Sequence, residues 1–173
     1  MSDHLIRAAS SKDAGVIAQI HVQAWQETYR GLMPQAFIER QSVAQRRAMW
    51  ERILGDPASS STVVVAEIQG VVVGFASGGP SRSDDGEADV ELYAIYVLKA
   101  HHRKGLGGAL CRQLLGELAQ KGAKRALIWV LDGNAGARRF YEALGAVVCA
   151  HKVDERGDVS LREVGYSVAL PLG

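Results

Sequence analysis

One stretch, VELYAIYVLKAHHRKGLGGALCRQL from Val90 to Leu114, limits what this chain can fold into more than any other. Its β-branched and aromatic run from Val90 to about Leu98 predicts a strand. A short basic turn then leads into a helix that opens in the glycines Gly105, Gly107 and Gly108. A strand passing through a glycine-rich turn into a helix gathers unpaired backbone N–H groups and the positive end of the helix dipole at one point. That point is an anion site. Residues without Cβ let a phosphate or pyrophosphate approach the main chain closely, and Arg103 and Lys104 stand beside them. Spacing excludes two common phosphate motifs. The dinucleotide fingerprint needs a third glycine where this chain has Leu110, and the phosphate loop of nucleotide hydrolases needs Gly-Lys-Ser/Thr after four spacers.

The rest of the chain supplies alternating elements. Leu5 to Ala8 predicts a first strand, and Ser10 or Ser11 caps a helix with Asp13 in its first turn. Ala14, Ile17, Ala18, His21, Ala24, Trp25 and Thr28 recur at helical spacing, which carries that helix to about Arg30 and its stop at Gly31. His21, Trp25 and Tyr29 share one face. The stripe has two readings, packing at the core or the wall of a pocket. Pro34 opens a second helix that continues through Phe37, Ile38, Ala44, Trp50 and Ile53. Thr62 to Ile68 and Val71 to Ser77, joined by Gln69-Gly70, form a hairpin. After the glycine-rich helix, which ends at Gly122, come a buried strand from Arg125 to Leu131 and a helix carrying Ala137, Phe140, Tyr141 and Leu144. Two strands, Ala146 to Val153 and Leu161 to Leu170, flank the turn Asp154 to Asp158.

Length and charge exclude several function classes. With 173 residues and no linker or repeat, a single domain spanning 1–173 is expected. A formal charge of +1 gives no global attraction to nucleic acid or to an anionic membrane, and no apolar run is long enough to span a bilayer. The start, Met1 to His4, lacks the pattern of a signal peptide, so the expected location is cytoplasmic. Cys111 and Cys149 read as small core residues kept as thiols, not as nucleophiles or metal ligands.

A second motif joins the first. Asn134, Ala137, Phe140, Tyr141 and Gly145 match Asn-x-x-Ala-x-x-Phe-Tyr-x-x-x-Gly, which combines a helix cap, a packing stripe and an exposed phenol. This motif and the run from His102 to Gly108 resemble the acyl-CoA site of the GNAT superfamily of N-acetyltransferases. The family pattern at the turn is Gln or Arg, two residues, Gly, one residue, Gly or Ala. His102 stands at its first position, with Gly105 and Gly107 at the others, and Ala146 stands where the second motif usually ends in Phe. The resemblance is strong from Val90 to Gly145 and extends in outline over the chain.

What the resemblance implies can be stated residue by residue. The fold would be α/β (α+β), a mostly antiparallel mixed sheet of about seven strands with a splay between strands 4 and 5 and helices on both faces. Pantetheine of acetyl-CoA would enter that splay and pair with the backbone of Ile95, Tyr96 and Val97. Arg103, Lys104, Gly105, Leu106, Gly107 and Gly108 would hold the pyrophosphate, and Asn134 would contact the cofactor's arm. Tyr141 would sit near the sulfur as general acid, and Glu91 would serve as general base, directly or through water. Trp25 and Tyr29, beside the loop Gly31 to Pro34, would line the acceptor site together with Tyr93, which shares a sheet face with Glu91. No metal is implied, and homodimers are common in the family.

The implied reaction is acetyl transfer to a primary amine by direct attack in a ternary complex. A small-molecule amine is the first acceptor to consider. Alternatives are the N-termini or lysines of proteins, or a non-catalytic sensor that binds acyl-CoA and turns nothing over. The acidic cluster Asp84, Asp85, Glu87, Asp89 and Glu91, with Arg82 just ahead of it, would attract a cationic acceptor such as a polyamine, an amino sugar or a basic peptide terminus, or would simply be solvated.

Overall fold

The computed structural model describes residues 3–83, 86 and 88–173. Seven strands form one sheet in the order β1-β2-β3-β4-β5-β7-β6. They are β1 (His4–Ala8), β2 (Thr62–Ile68), β3 (Val71–Pro80), β4 (Val90–Val97), β5 (Arg125–Leu131), β6 (Val147–Arg156) and β7 (Val159–Ala169). Among the described residues five α-helices connect them: α1 (Ala14–Tyr29), α2 (Gln35–Glu39), α3 (Val43–Gly55), α4 (Leu106–Gln120) and α5 (Ala135–Ala143). The pairs β1–β2, β2–β3, β5–β7 and β6–β7 are antiparallel, whereas β4 and β5 run parallel. That parallel ladder is short. It joins Val90–Leu92 to Ala126–Ile128 and stops there, although β4 continues to Val97 and β5 to Leu131. This is the splay expected between strands 4 and 5.

The chain divides into two compact units. The first comprises the residues up to Gly78 together with Ala94–Leu114. Its core packs Ile17, Ala18 and Ile20 of α1 and Trp50 of α3 with Val63 and Val65 of β2 and Phe75 of β3. The helical period of α1 places its apolar residues on that face. At the entry to α1, Arg7 bridges Asp13 (2.8 Å) and Glu67 (2.6 Å). The Arg7 hydrogen bond holds the Asp13 carboxyl below its ordinary range. Gly74 is needed for β3 to approach β4 closely, because a Cβ there would lie 2.9 Å from the Tyr96 carbonyl oxygen.

The helix expected from Pro34 to Ile53 is two helices. The break falls at residues 40–42, where the Ser42 hydroxyl accepts the Gln45 N–H at 3.4 Å and starts α3 afresh. Ser-x-x-Gln is a cap sequence, so a continuous apolar count conceals a legible restart.

The second unit comprises Gly79–Tyr93 and Leu115–Gly173. Here β5 pairs along its whole length with β7, and β7 with β6. Tyr166 of β7 is fully buried and ties down α5: its hydroxyl accepts from Arg138 Nε at 3.0 Å and donates to Glu142 at 2.8 Å. The turn between β6 and β7 is tighter than expected, Gly157 taking a left-handed φ of 65° so that the strands extend to Arg156 and from Val159. Cys111 is buried as expected, and burial pushes its thiol up to about 12. Cys149 is not a core residue. It is exposed on β6, where the register with β7 shifts between Val148 and Ala150. Among the described residues no helix is long and apolar enough to cross a membrane.

Candidate active site

In the first unit, β4 ends at Val97 and a single 3-10 turn at Lys99–His101 leads to the start of α4 at Leu106. Leu98 N–H donates to the Val73 carbonyl, and Lys99 N–H to Glu27 Oε2 at 2.8 Å, so α1 and β3 both fix the end of the strand. His102 Nε2 lies 2.7 Å from the Val97 carbonyl oxygen, which turns its ring back onto the strand. Arg103 (φ 61°) and Gly105 (φ 78°) are both left-handed. For a non-glycine residue this conformation costs on the order of 1 kcal/mol, and it turns the chain sharply into the helix. Gly105 C=O accepts the first bond of α4, from Ala109 N–H at 3.0 Å. The amides of Leu106, Gly107 and Gly108 therefore stand in the helix's first turn, where intrahelical acceptors are lacking. Arg103, Lys104 and Gly105 are exposed. The donor set, dipole end and cationic side chains fit an anionic pyrophosphate.

The same unit gathers the aromatic stripe of α1 around one phenol. Trp25 Nε1 donates to the Tyr96 hydroxyl at 2.9 Å, and the hydroxyls of Tyr29 and Tyr96 lie 3.1 Å apart. Trp25 is buried and its ring stands 5.7 Å from that of Phe37, while Tyr29 and Phe37 are half-buried. His21 is core, its Nδ1 accepting from Trp50 Nε1 at 3.2 Å. The sequence singles out Tyr96 for its backbone alone. Its side chain is the hub that fixes the end of α1, and nothing in its spacing announces that.

The second unit holds the expected acid and base. Glu91 is 4% exposed. Its carboxylate accepts from Arg82 Nη2 at 2.9 Å, from Arg82 Nε at 3.5 Å and from Arg82 N–H at 3.0 Å. The Arg82 guanidinium also lies 4.1 Å from the centroid of the Tyr93 ring, and Tyr93 donates to the Pro80 carbonyl at 2.5 Å. Burial raises the Tyr93 phenol; Arg82 opposes that shift and Glu91 adds to it. Glu91 and Tyr93 thus share a face, and Arg82 joins them, a residue that in the sequence only stands just ahead of an acidic run. Of that run, Asp84, Asp85 and Glu87 lie outside the described residues. Asp89 is committed to the backbone, accepting from Lys124 N–H at 2.8 Å and Arg125 N–H at 3.1 Å.

Asn134 caps α5 as expected, its Oδ1 accepting from Ala137 N–H at 3.2 Å. Tyr141 does not present the exposed phenol expected of it. It is 5% exposed, with its ring 5.1 Å from Phe140 and 6.5 Å from Tyr166. The packing stripe of the motif draws the phenol in with it. Among the described residues no group of three or more His, Cys, Asp or Glu could hold a metal ion.

The profile of the Acetyltransferase (GNAT) family matches residues 16–146. The chain is 32% identical over 160 residues to YuaI of Bacillus subtilis, described as an uncharacterized N-acetyltransferase, covering 92% of this chain and 90% of that one. It is 32% identical over 148 residues to the L-methionine sulfoximine/L-methionine sulfone acetyltransferase of Salmonella typhimurium, covering 84% and 81%. The solved structure of yncA from Salmonella typhimurium with its cofactor acetyl-CoA superimposes with a TM-score of 0.74 at 28% identity, over 98% of this chain and 95% of that one.

Proposed function

This chain belongs to the acetyltransferase (GNAT) family and is an acetyl-CoA-dependent N-acetyltransferase, and we propose that its acceptor is the primary amine of a small amino-acid-like molecule. The observation that carries the acceptor class is the likeness, over 84% of the chain, to a relative named for acetylating methionine sulfoximine and methionine sulfone. Acetyl-CoA supplies an activated acetyl thioester. What remains for the protein is to grip the donor, position the amine and manage two protons.

The grip is assigned chiefly to the first unit. The turn from Arg103 to Gly108 receives the pyrophosphate, the backbone of Ile95, Tyr96 and Val97 pairs with the pantetheine arm, and Asn134 contacts that arm. Trp25, Tyr29 and Tyr93 receive the acceptor. Support comes from the left-handed Arg103 and Gly105, which bring α4's first amides and two exposed cations to one turn.

Magnitudes separate the roles of Glu91 and Tyr141. An alkylamine with a pKa near 10.4 loses its proton at pH 7 at a cost of roughly 4.6 kcal/mol, from about 3.4 units at 1.36 kcal/mol each. A base that accepts that proton is worth having, and Glu91 is assigned this role, its carboxylate held by the guanidinium that lies over the Tyr93 ring. A departing alkyl thiolate, whose conjugate acid ordinarily has a pKa near 8.5, is only about 1.5 units from neutral, so protonating it lowers the barrier by at most about 2 kcal/mol. Tyr141 assists as the acid and is the lesser contributor.

The test is thiol release from acetyl-CoA across free amino acids, polyamines, aminoglycosides and short peptides, with acetyl-CoA binding followed by calorimetry. Turnover confined to the amino acids is expected. Binding of acetyl-CoA with turnover only on peptides, or on no acceptor, would overturn the assignment.

A further inference from the structure

The Arg82–Glu91 pair is asymmetric in a way that bears on the acceptor's charge. Glu91's side chain is 5% exposed, whereas Arg82's is 64% exposed. The guanidinium is nevertheless held in one pose: over the Tyr93 ring at 4.1 Å, with Nε and Nη2 turned toward Glu91. A planar guanidinium carries five N–H donors matched to bidentate recognition of a carboxylate, and Glu91 engages two of its three nitrogens. Among the described residues of this segment, both carboxylates are committed, Asp89 to backbone amides and Glu91 to Arg82. Among these described residues the charge left facing water is the arginine's.

We propose that Arg82 determines specificity by binding the carboxylate of a zwitterionic acceptor, an α-amino acid, in exchange for Glu91. An ion pair is complementary to a zwitterion. The acceptor's carboxylate takes the guanidinium, its ammonium faces Glu91, and the buried carboxylate never stands without a cation. The exchange frees a Glu91 oxygen only when an acceptor of the right charge pattern has arrived. One N–H bond of the ammonium then breaks, its proton passes to Glu91 or to a bridging water, and the nitrogen keeps the electron pair with which it attacks the thioester carbon. This inference rests on the reading of Glu91 as base and extends it to the substrate's second charge.

The experiment compares kcat/KM for an L-α-amino acid and for the amino alcohol that replaces its carboxylate with CH2OH, in the wild type, Arg82→Ala and Arg82→Lys. The preference for the amino acid should fall roughly 30- to 100-fold in Arg82→Ala, through KM, and return in part with Arg82→Lys. Acetyl-CoA affinity by calorimetry verifies folding, and Arg82→Lys decides the matter if the alanine variant is unstable. A preference that stays within about threefold of the wild type in these variants overturns the inference and leaves the proposed function standing. A wild type that binds acetyl-CoA and acetylates neither compound overturns both.

Discussion

His21 and Glu91 are equally hidden titratable side chains with opposite surroundings, at 7% and 4% exposure. In the first unit the His21 ring is set among Trp50, Phe75 and Tyr96, and its Nδ1 takes a hydrogen bond from the Trp50 indole. Burial first, and then the positive charge of Arg46, pull its pKa from 6.5 down to about 3. In the second unit the Glu91 carboxylate meets a guanidinium. Burial alone discharges a group, whereas burial beside a counter-charge preserves an ion that chemistry can use. The histidine is a packing residue and the glutamate is assigned the reactive role, although the ordinary pKa of an imidazole would favour it as the base.

Glu91→Gln removes this contrast most completely. The amide keeps an acceptor for Arg82 and so preserves the fold, but it cannot take a proton. We expect kcat to fall about 100-fold or more with acetyl-CoA affinity unchanged. Steady-state rates with calorimetry on the same samples check this, and a loss of less than about tenfold would return Glu91 to a structural role.

A smaller effect, on stability alone, is expected for His21→Gln. The unfolded chain takes up a proton near pH 6.5 that the folded chain refuses until about pH 3. Folding stability therefore falls as pH drops through that window, by up to about 1.4 kcal/mol per unit. Between pH 6.5 and 4.5 the wild type should lose roughly 2–3 kcal/mol more than His21→Gln, read from urea unfolding at the two pH values. Equal losses would mean that the imidazole titrates in the folded protein and is not the inert ring described.

What the sequence discloses follows from how local the physics is. The strand, basic turn and helix of Val90 to Leu114 are legible because glycine placement, β-branching and helical period all act within a few residues. The Asn134 cap is legible for the same reason. The broken second helix is legible too, in Ser42 and Gln45, but the apolar count from Phe37 to Ile53 speaks louder. Arg82 is hidden for a different reason. It lies in a loop without periodicity, and its meaning comes from Glu91 and Tyr93, nine and eleven positions away on a strand. The Tyr96 hub is hidden likewise, since Trp25 is 71 residues distant in sequence. The burial of Tyr141 is not legible because the packing stripe and the phenol belong to one helical turn, and packing decides the orientation.

Transfer of acetyl to a free amino acid in preference to a protein amine can be tested by one competition. Equal concentrations of an L-α-amino acid and of a short peptide beginning with the same residue and containing a lysine are offered with limiting acetyl-CoA, and the products are weighed by mass spectrometry. We expect the N-acetyl amino acid to dominate by about tenfold or more, the discrimination that follows when a carboxylate-binding arginine meets an acceptor whose α-carboxylate has become an amide. Predominant acetylation of the peptide, at its terminus or its lysine, would contradict the preference for a free amino acid.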